Sequence, residues 1–251
     1  MAKLRPPDDL SKVQTFGPPA ALPPAEGYWI ESRGPLASLL FVAPLLLLYE
    51  AGVLLAGPGT LHNAPELWLR GLLNAVGLGQ YFLLPALMVG GLLAWQYFSG
   101  QPWRVRRAVL LGMCVESLAW AVALWGLGRL QARLLAAGTG EGLFERLLLS
   151  VGAGFYEETL FRLLLLPITA AALQSCRIPR EKSFWLAALG TSLVFSAMHY
   201  IGPHGDTLAL SSFVFRLMAG LFFAGLFVYR GFGIVVGAHA MYDVLVSFRL
   251  L

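Results

Sequence analysis

Glu157 and Glu158 are adjacent acids inside an otherwise apolar stretch, Gly154-Phe155-Tyr156-Glu157-Glu158-Thr159-Leu160-Phe161-Arg162. Ionisable side chains inside an apolar span are costly and mark a pathway, a relay or a site. On a helix, Glu158 and Arg162 are i, i+4 neighbours and can pair. Glu157 is turned about 100° away around the axis and is left to face another helix. One carboxylate is then held ionised by the guanidinium, and the other is poised to accept a proton, which is the division that general base chemistry requires.

Two later apolar stretches carry matching polar groups. Leu193-Val194-Phe195-Ser196-Ala197-Met198-His199 ends in a histidine, and in Gly237-Ala238-His239-Ala240-Met241-Tyr242-Asp243 the histidine and the aspartate share a helix face at i, i+4. One membrane histidine is ordinarily a packing residue. Two of them, with an acid pair and an aspartate on three separate segments, point to a shared site. Small residues flank each group (Ser150, Gly152, Ala153 and Gly154; Gly231, Gly233 and Gly237) and let helices approach closely.

The elements that must position these groups are membrane helices. The chain has 251 residues, 57% of them apolar and 13% charged, with a mean hydropathy of +0.69. Soluble domains average about 45–50% apolar and about 25% charged. This composition excludes an ordinary soluble fold, a disordered chain and a disulfide scaffold. Apolar runs are expected to span at 36–56, 80–98, 108–128, 147–173, 184–200, 211–229 and 231–248, with 66–78 lying at the interface or forming a partial eighth helix. The expected fold is an all-α, polytopic bundle of seven or eight transmembrane helices.

At about 1.5 Å per residue, Glu157 and His239 each lie about 12 Å or more into their spans. The alternating helix directions bring Glu157, His199, His239 and Asp243 together at mid-depth, towards the outer face. Arg216 falls at a similar depth and either pairs with one of the acids or snorkels. Glu50 and Glu116 are read as helix-pairing or cavity residues. His62, His204 and Asp206 are read as solvated, with His204 and Asp206 near the cavity mouth.

Residues 1–34 are polar and proline-rich and read as a disordered cytoplasmic tail, with 35–251 as the membrane domain. The net charge is +4, but the cations are scattered between apolar runs, unlike a nucleic-acid-binding patch. With the N-terminus inside, eleven Lys and Arg fall in inner connections, including Arg33, Arg104, Arg106, Arg107 and Arg230. Five (Arg70, Arg129, Arg133, Arg146 and Arg249) fall outside, as the positive-inside rule favours. Cys114 and Cys176 lack metal-ligand spacing and read as buried or interfacial free thiols.

The three groups in this order resemble the CPBP family of membrane proteins, which includes the CAAX prenyl endopeptidases and the bacteriocin-processing, immunity-type members. Its marks are EExxxR, FxxxH and HxxxN or HxxxD on successive helices. Glu157-Glu158-xxx-Arg162, Phe195-xxx-His199 and His239-xxx-Asp243 fit them, over about residues 145–248. Asp243 stands where the prenyl endopeptidases have asparagine. The resemblance implies an intramembrane endopeptidase of a bacterial inner membrane. In it Glu157 with His199 activates water, and His239 with Asp243 stabilises the oxyanion. Glu158, Arg162 and Phe195 support the site. An ionised Asp243 cannot donate, so it is expected either protonated or acting on His239 from behind.

No cofactor is required by this chemistry, although Glu157, His199, His239 and Asp243 offer an N/O set for zinc. The rival classes are a transporter using the charges as a relay, against which no inverted repeat is found, and an inactive scaffold. The expected partners are a protein or peptide substrate, lipidated or membrane-anchored, and membrane lipid.

Overall fold

The computed structural model describes residues 27–56, 64–131, 142–201 and 205–249. The expected tail up to residue 26, His62, Arg133 and His204 lie outside the described residues. Among those described, the chain is all helix: α1 (Tyr28–Glu31), α2 (Pro35–Ala56), α3 (Ala64–Ala75), α4 (Leu83–Ser99) and α5 (Arg107–Gln131). There follow α6 (Leu143–Glu158), a π-helical segment (Thr159–Leu165), α7 (Leu166–Ser175), α8 (Arg180–Met198), α9 (Leu210–Arg230) and α10 (Phe232–Arg249). No strand occurs among the described residues.

The bundle is apolar outside, and its apolar core also encloses polar groups. Leu47, Leu55, Leu111, Val115 and Ile168 point outwards, whereas Glu50, Ser117, Glu158, Arg162 and His239 are buried. That arrangement suits a lipid solvent, which cannot hydrogen-bond backbone or side chain and so forces every polar group inward. Three helices are long and apolar enough to cross a membrane: α2, α5 over Arg107–Gly128, and α9. The shorter α4 and α10 are also apolar. The chain is an integral membrane protein.

Helix α10 is the axis of the fold. It packs on α6, α5, α2 and α9, and every residue from 230 to 240 is buried. A helix apolar on all sides is stable only when surrounded, and Phe232, Ile234, Val235, Val236 and Ala238 supply that. The α9–α10 hairpin expected around Tyr229-Arg230-Gly231 turns on Gly231 alone, at φ +86°. The position favours glycine because a Cβ there meets hindered dihedral space.

The expected span 147–173 is one rod of α6, the π segment and α7. Pro167 stands in the first turn of α7 and has no N–H to give to the preceding turn. The ladder widens just before it, with Leu166 N–H reaching back five residues to Phe161 O. Such wide turns recur at functional sites, and this one begins one residue after Glu158.

At the N-terminal end, the last residues of the expected tail are ordered against the bundle. Arg230 grips Glu116 with Nε at 2.5 Å and Nη2 at 2.8 Å, and Tyr28 donates to the same carboxylate. Arg230 also reaches Ser32 Oγ at 2.9 Å and Trp29 O at 3.2 Å. Glu116 is thus a helix-pairing residue, as expected. Tyr28, outside the spans, titrates above the ordinary phenol range because burial, then its bond to Glu116, disfavours the phenolate. Cys114 and Cys176 are free thiols but exposed, not buried. Helical phase turns Cys114 outwards on α5, and Cys176 stands in the turn after α7.

Candidate functional site

The acid pair sits on the last turn of α6, where the two carboxylates diverge. Glu158 and Arg162 are buried, and Arg162 Nη1 donates to Glu158 Oε1 at 2.9 Å, the i, i+4 pair read from the sequence. Arg162 Nη2 donates to the carbonyl of Gly220 on α9 at 3.1 Å. The guanidinium also lies over three rings, with its carbon 4.6 Å from the Phe195 centroid, 5.5 Å from Phe223 and 5.8 Å from Phe161. A buried cation so surrounded gains cation–π attraction in place of water.

Glu158 does more than hold Arg162. The same oxygen lies 2.6 Å from His239 Nδ1. A carboxylate can only accept, so Nδ1 carries a proton and the ring's Nε2 is turned the other way, towards Glu157. Phe223 stacks on that ring at 4.5 Å with 17° between planes. The position behind His239, one of the two alternatives expected for Asp243, is therefore held by Glu158. Asp243 Oδ2 instead lies 3.5 Å from Nε2, on the side that faces Glu157.

His199 is the C-terminal cap of α8. Its Nδ1 lies 2.7 Å from Phe195 O, and a carbonyl is also only an acceptor. The proton is on Nδ1, and Nε2 offers a lone pair. The end of α8 is fastened by Asp206, whose N–H donates to His199 O at 2.9 Å. Asp206 also pairs with Arg216, whose guanidinium lies over the Tyr200 ring at 5.1 Å. The acid that meets Arg216 is thus the exposed Asp206.

Three groups converge. Glu157 Oε2 is 4.0 Å from His199 Nε2 and 3.8 Å from His239 Nε2. The oxygen is buried without a hydrogen-bond partner in the protein. Those gaps are too long for direct hydrogen bonds and of the length one water bridges. Beside them lies a cavity of about 40 Å³, lined by Pro65 and Trp68 of α3 together with Glu157, Phe161, Phe195 and His199. About 10–15 Å³ of such space holds one water, so the cavity has room for a few. A far larger cleft, about 620 Å³, is lined by Leu36, Gln96 and Arg104. It opens at the start of α2, whereas the cavity lies towards the other end, and it touches none of the candidate residues.

Close approach of α6 and α10 brings the groups together. A Cβ on Gly154 would lie 2.7 Å from the Ala240 Cβ and backbone nitrogen, so only glycine lets Glu157 and His239 face each other. Among the described residues, no group of three or more His, Cys, Asp or Glu is arranged to hold a metal ion. The side chains as placed do not form a zinc cage: His239 spends Nδ1 on Glu158, and both Nε2 atoms address one Glu157 oxygen.

Sequence reasoning missed Phe223, Gly220 and the α3 wall. Phe223 stands one of many phenylalanines in an apolar span, and nothing local distinguishes it. Trp68 and Pro65 lie about ninety residues before Glu157, in or just before a stretch read as interfacial or as a partial eighth helix.

Residues 139–245 match the family model described as Type II CAAX prenyl endopeptidase Rce1-like. No curated protein and no solved structure matches the chain.

Proposed function

We propose, from the match of residues 139–245 to the Rce1-like type II CAAX prenyl endopeptidase family model, that this chain hydrolyses a peptide bond within the membrane using a water activated by Glu157 and His199. The observation that carries this reading is the pair of spacings, 4.0 and 3.8 Å, around the unpartnered Glu157 oxygen. A water donating one hydrogen to Glu157 Oε2 and the other to His199 Nε2 has its lone pair turned outwards. It attacks the scissile carbonyl carbon, and Glu157 takes its proton. His239, carrying protons on both nitrogens, donates from Nε2 to the developing oxyanion. Glu158 holds the ring through Nδ1, and Asp243 stands beside Nε2 as a second polar group. Collapse of the tetrahedral carbon breaks the C–N bond, and the proton on Glu157 passes to the leaving amine. No step is routed through a metal.

The membrane domain in this reading has seven spans, with α6, the π segment and α7 as one and α3 at the interface. It sits in a bacterial inner membrane with the N-terminus cytoplasmic. The site then leans towards the outer face. A cytosolic prenylated tail would arrive from the wrong side, so the substrate is a leader peptide or a membrane-anchoring C-terminal tail of an exported protein. Comparing protein termini in cells with wild-type protein, with Glu157→Gln and without the protein tests the reading. New termini should appear only with the wild type, and their production by Glu157→Gln at the wild-type level would refute it.

A further inference from the structure

The cavity beside Glu157 has room for a few waters and none for a peptide strand. A peptide strand therefore needs the opening to widen, and the wall formed by α3 is the one part of the lining that lies outside the proposed spans. Helix α3 has 12 residues, too few to span about 30 Å of hydrocarbon. It packs on α6 and α4, and only Pro65, Glu66 and Leu69 are buried.

Beneath it lies a buried cluster that the hydrolytic mechanism does not use. Glu66 accepts from Tyr49 on α2 at 2.5 Å and from Arg70 Nε at 2.7 Å. Arg70 Nη1 donates to Tyr81 O at 2.5 Å, and its Nη2 is 3.9 Å from Glu50 Oε1 on α2. Glu50 accepts in turn from Tyr156 on α6, the residue before Glu157. One guanidinium thus serves two carboxylates. A segment held by a few polar contacts and little apolar burial belongs to the low-stability end of a fold, from which lids are drawn.

We propose that α3 is the substrate gate of this site: the peptide reaches Glu157 and His199 by displacing α3, and the Tyr49–Glu66–Arg70–Glu50–Tyr156 cluster is its latch. The proposal rests on the hydrolase reading for the identity of what enters, but its test does not require cleavage. Full-length protein in lipid nanodiscs carries Glu157→Cys as a reporter beneath α3, with Cys114→Ser and Cys176→Ser removing the exposed thiols. The rate of reaction with a small water-soluble methanethiosulfonate reports access to the site. Tyr49→Phe keeps the ring and removes one hydrogen bond to a carboxylate, and should speed labelling by about tenfold. Trp120→Phe removes a donor to Glu116 at the opposite end and should leave the rate unchanged. Equal rates with and without Tyr49→Phe, or equal acceleration by Trp120→Phe, overturn the gate. Failure of the hydrolase reading would show separately, as absent cleavage in the wild type with the labelling pattern intact.

Discussion

His239 Nδ1 lies 2.6 Å from Glu158 Oε1, and that same oxygen accepts from Arg162 at 2.9 Å. The second glutamate of the pair therefore ties α6, the π segment and α10 into one buried unit. Its relation to the first is a division of labour: Glu158 orients a histidine and Glu157 faces the cavity. Glu158→Ala leaves Arg162 buried without its counter-charge and should cost about 3–5 kcal/mol of stability, read by chemical unfolding in detergent. Adding Arg162→Met should lose less than the two single costs combined, because the partners share one interaction.

Glu157→Gln keeps the shape of the side chain but cannot take a proton from water. Cleavage should fall by about 10²–10⁴-fold, while membrane insertion and the unfolding midpoint stay at wild-type values. A turnover assay on the substrate found by comparing termini checks the first, and thermal unfolding checks the second.

Phe223 stacks on His239 and does not border the cavity, so it is a positioning residue. Phe223→Leu should lower kcat by about 10- to 100-fold, as misplacement of a reacting group does, with KM little changed. A merely structural role would lower the unfolding midpoint and leave kcat per folded molecule intact.

Gly154→Ala inserts a Cβ where Ala240 already stands at 2.7 Å. Overpacking of this kind costs about 1–3 kcal/mol, and it pushes α6 from α10 along the line between Glu157 and His239. Stability and cleavage should both fall. Gly126→Ala, a helical glycine whose Cβ would meet nothing within 4 Å, should change neither.

Chelation offers a direct check on the water-activating pair. Purified protein treated with a strong zinc chelator should keep its full rate. A lost rate that returns on adding zinc would transfer water activation to a metal.

Much of the site was legible because its parts repeat local rules. The i, i+4 spacing of Glu158 and Arg162 dictated their ion pair, and of His239 and Asp243 their common face. The closeness of Glu157, His199 and His239 followed from helix rise and alternating direction. The side of His239 on which Asp243 falls was not legible, because it depends on how α10 is rotated against α6. The same limit hid Arg216, whose partner Asp206 lies in a connection between helices. Whether Cys114 is buried or exposed was not legible, because an apolar helix in lipid is apolar on both faces, so hydropathy does not say which face is interior.

From its amino acids alone, this chain had to be a helical membrane protein, since its apolar runs must satisfy their backbone groups internally and its few charges must gather away from lipid. Those acids, histidines and the arginine had to meet, because an isolated charge in hydrocarbon is too costly to persist. Only the tertiary packing decided that Glu158 rather than Asp243 backs His239, that Phe223 flattens against the ring, and that α3 lines the cavity. These are contacts between segments distant in sequence, set by helix rotation and by one glycine's missing Cβ, and no local spacing encodes them.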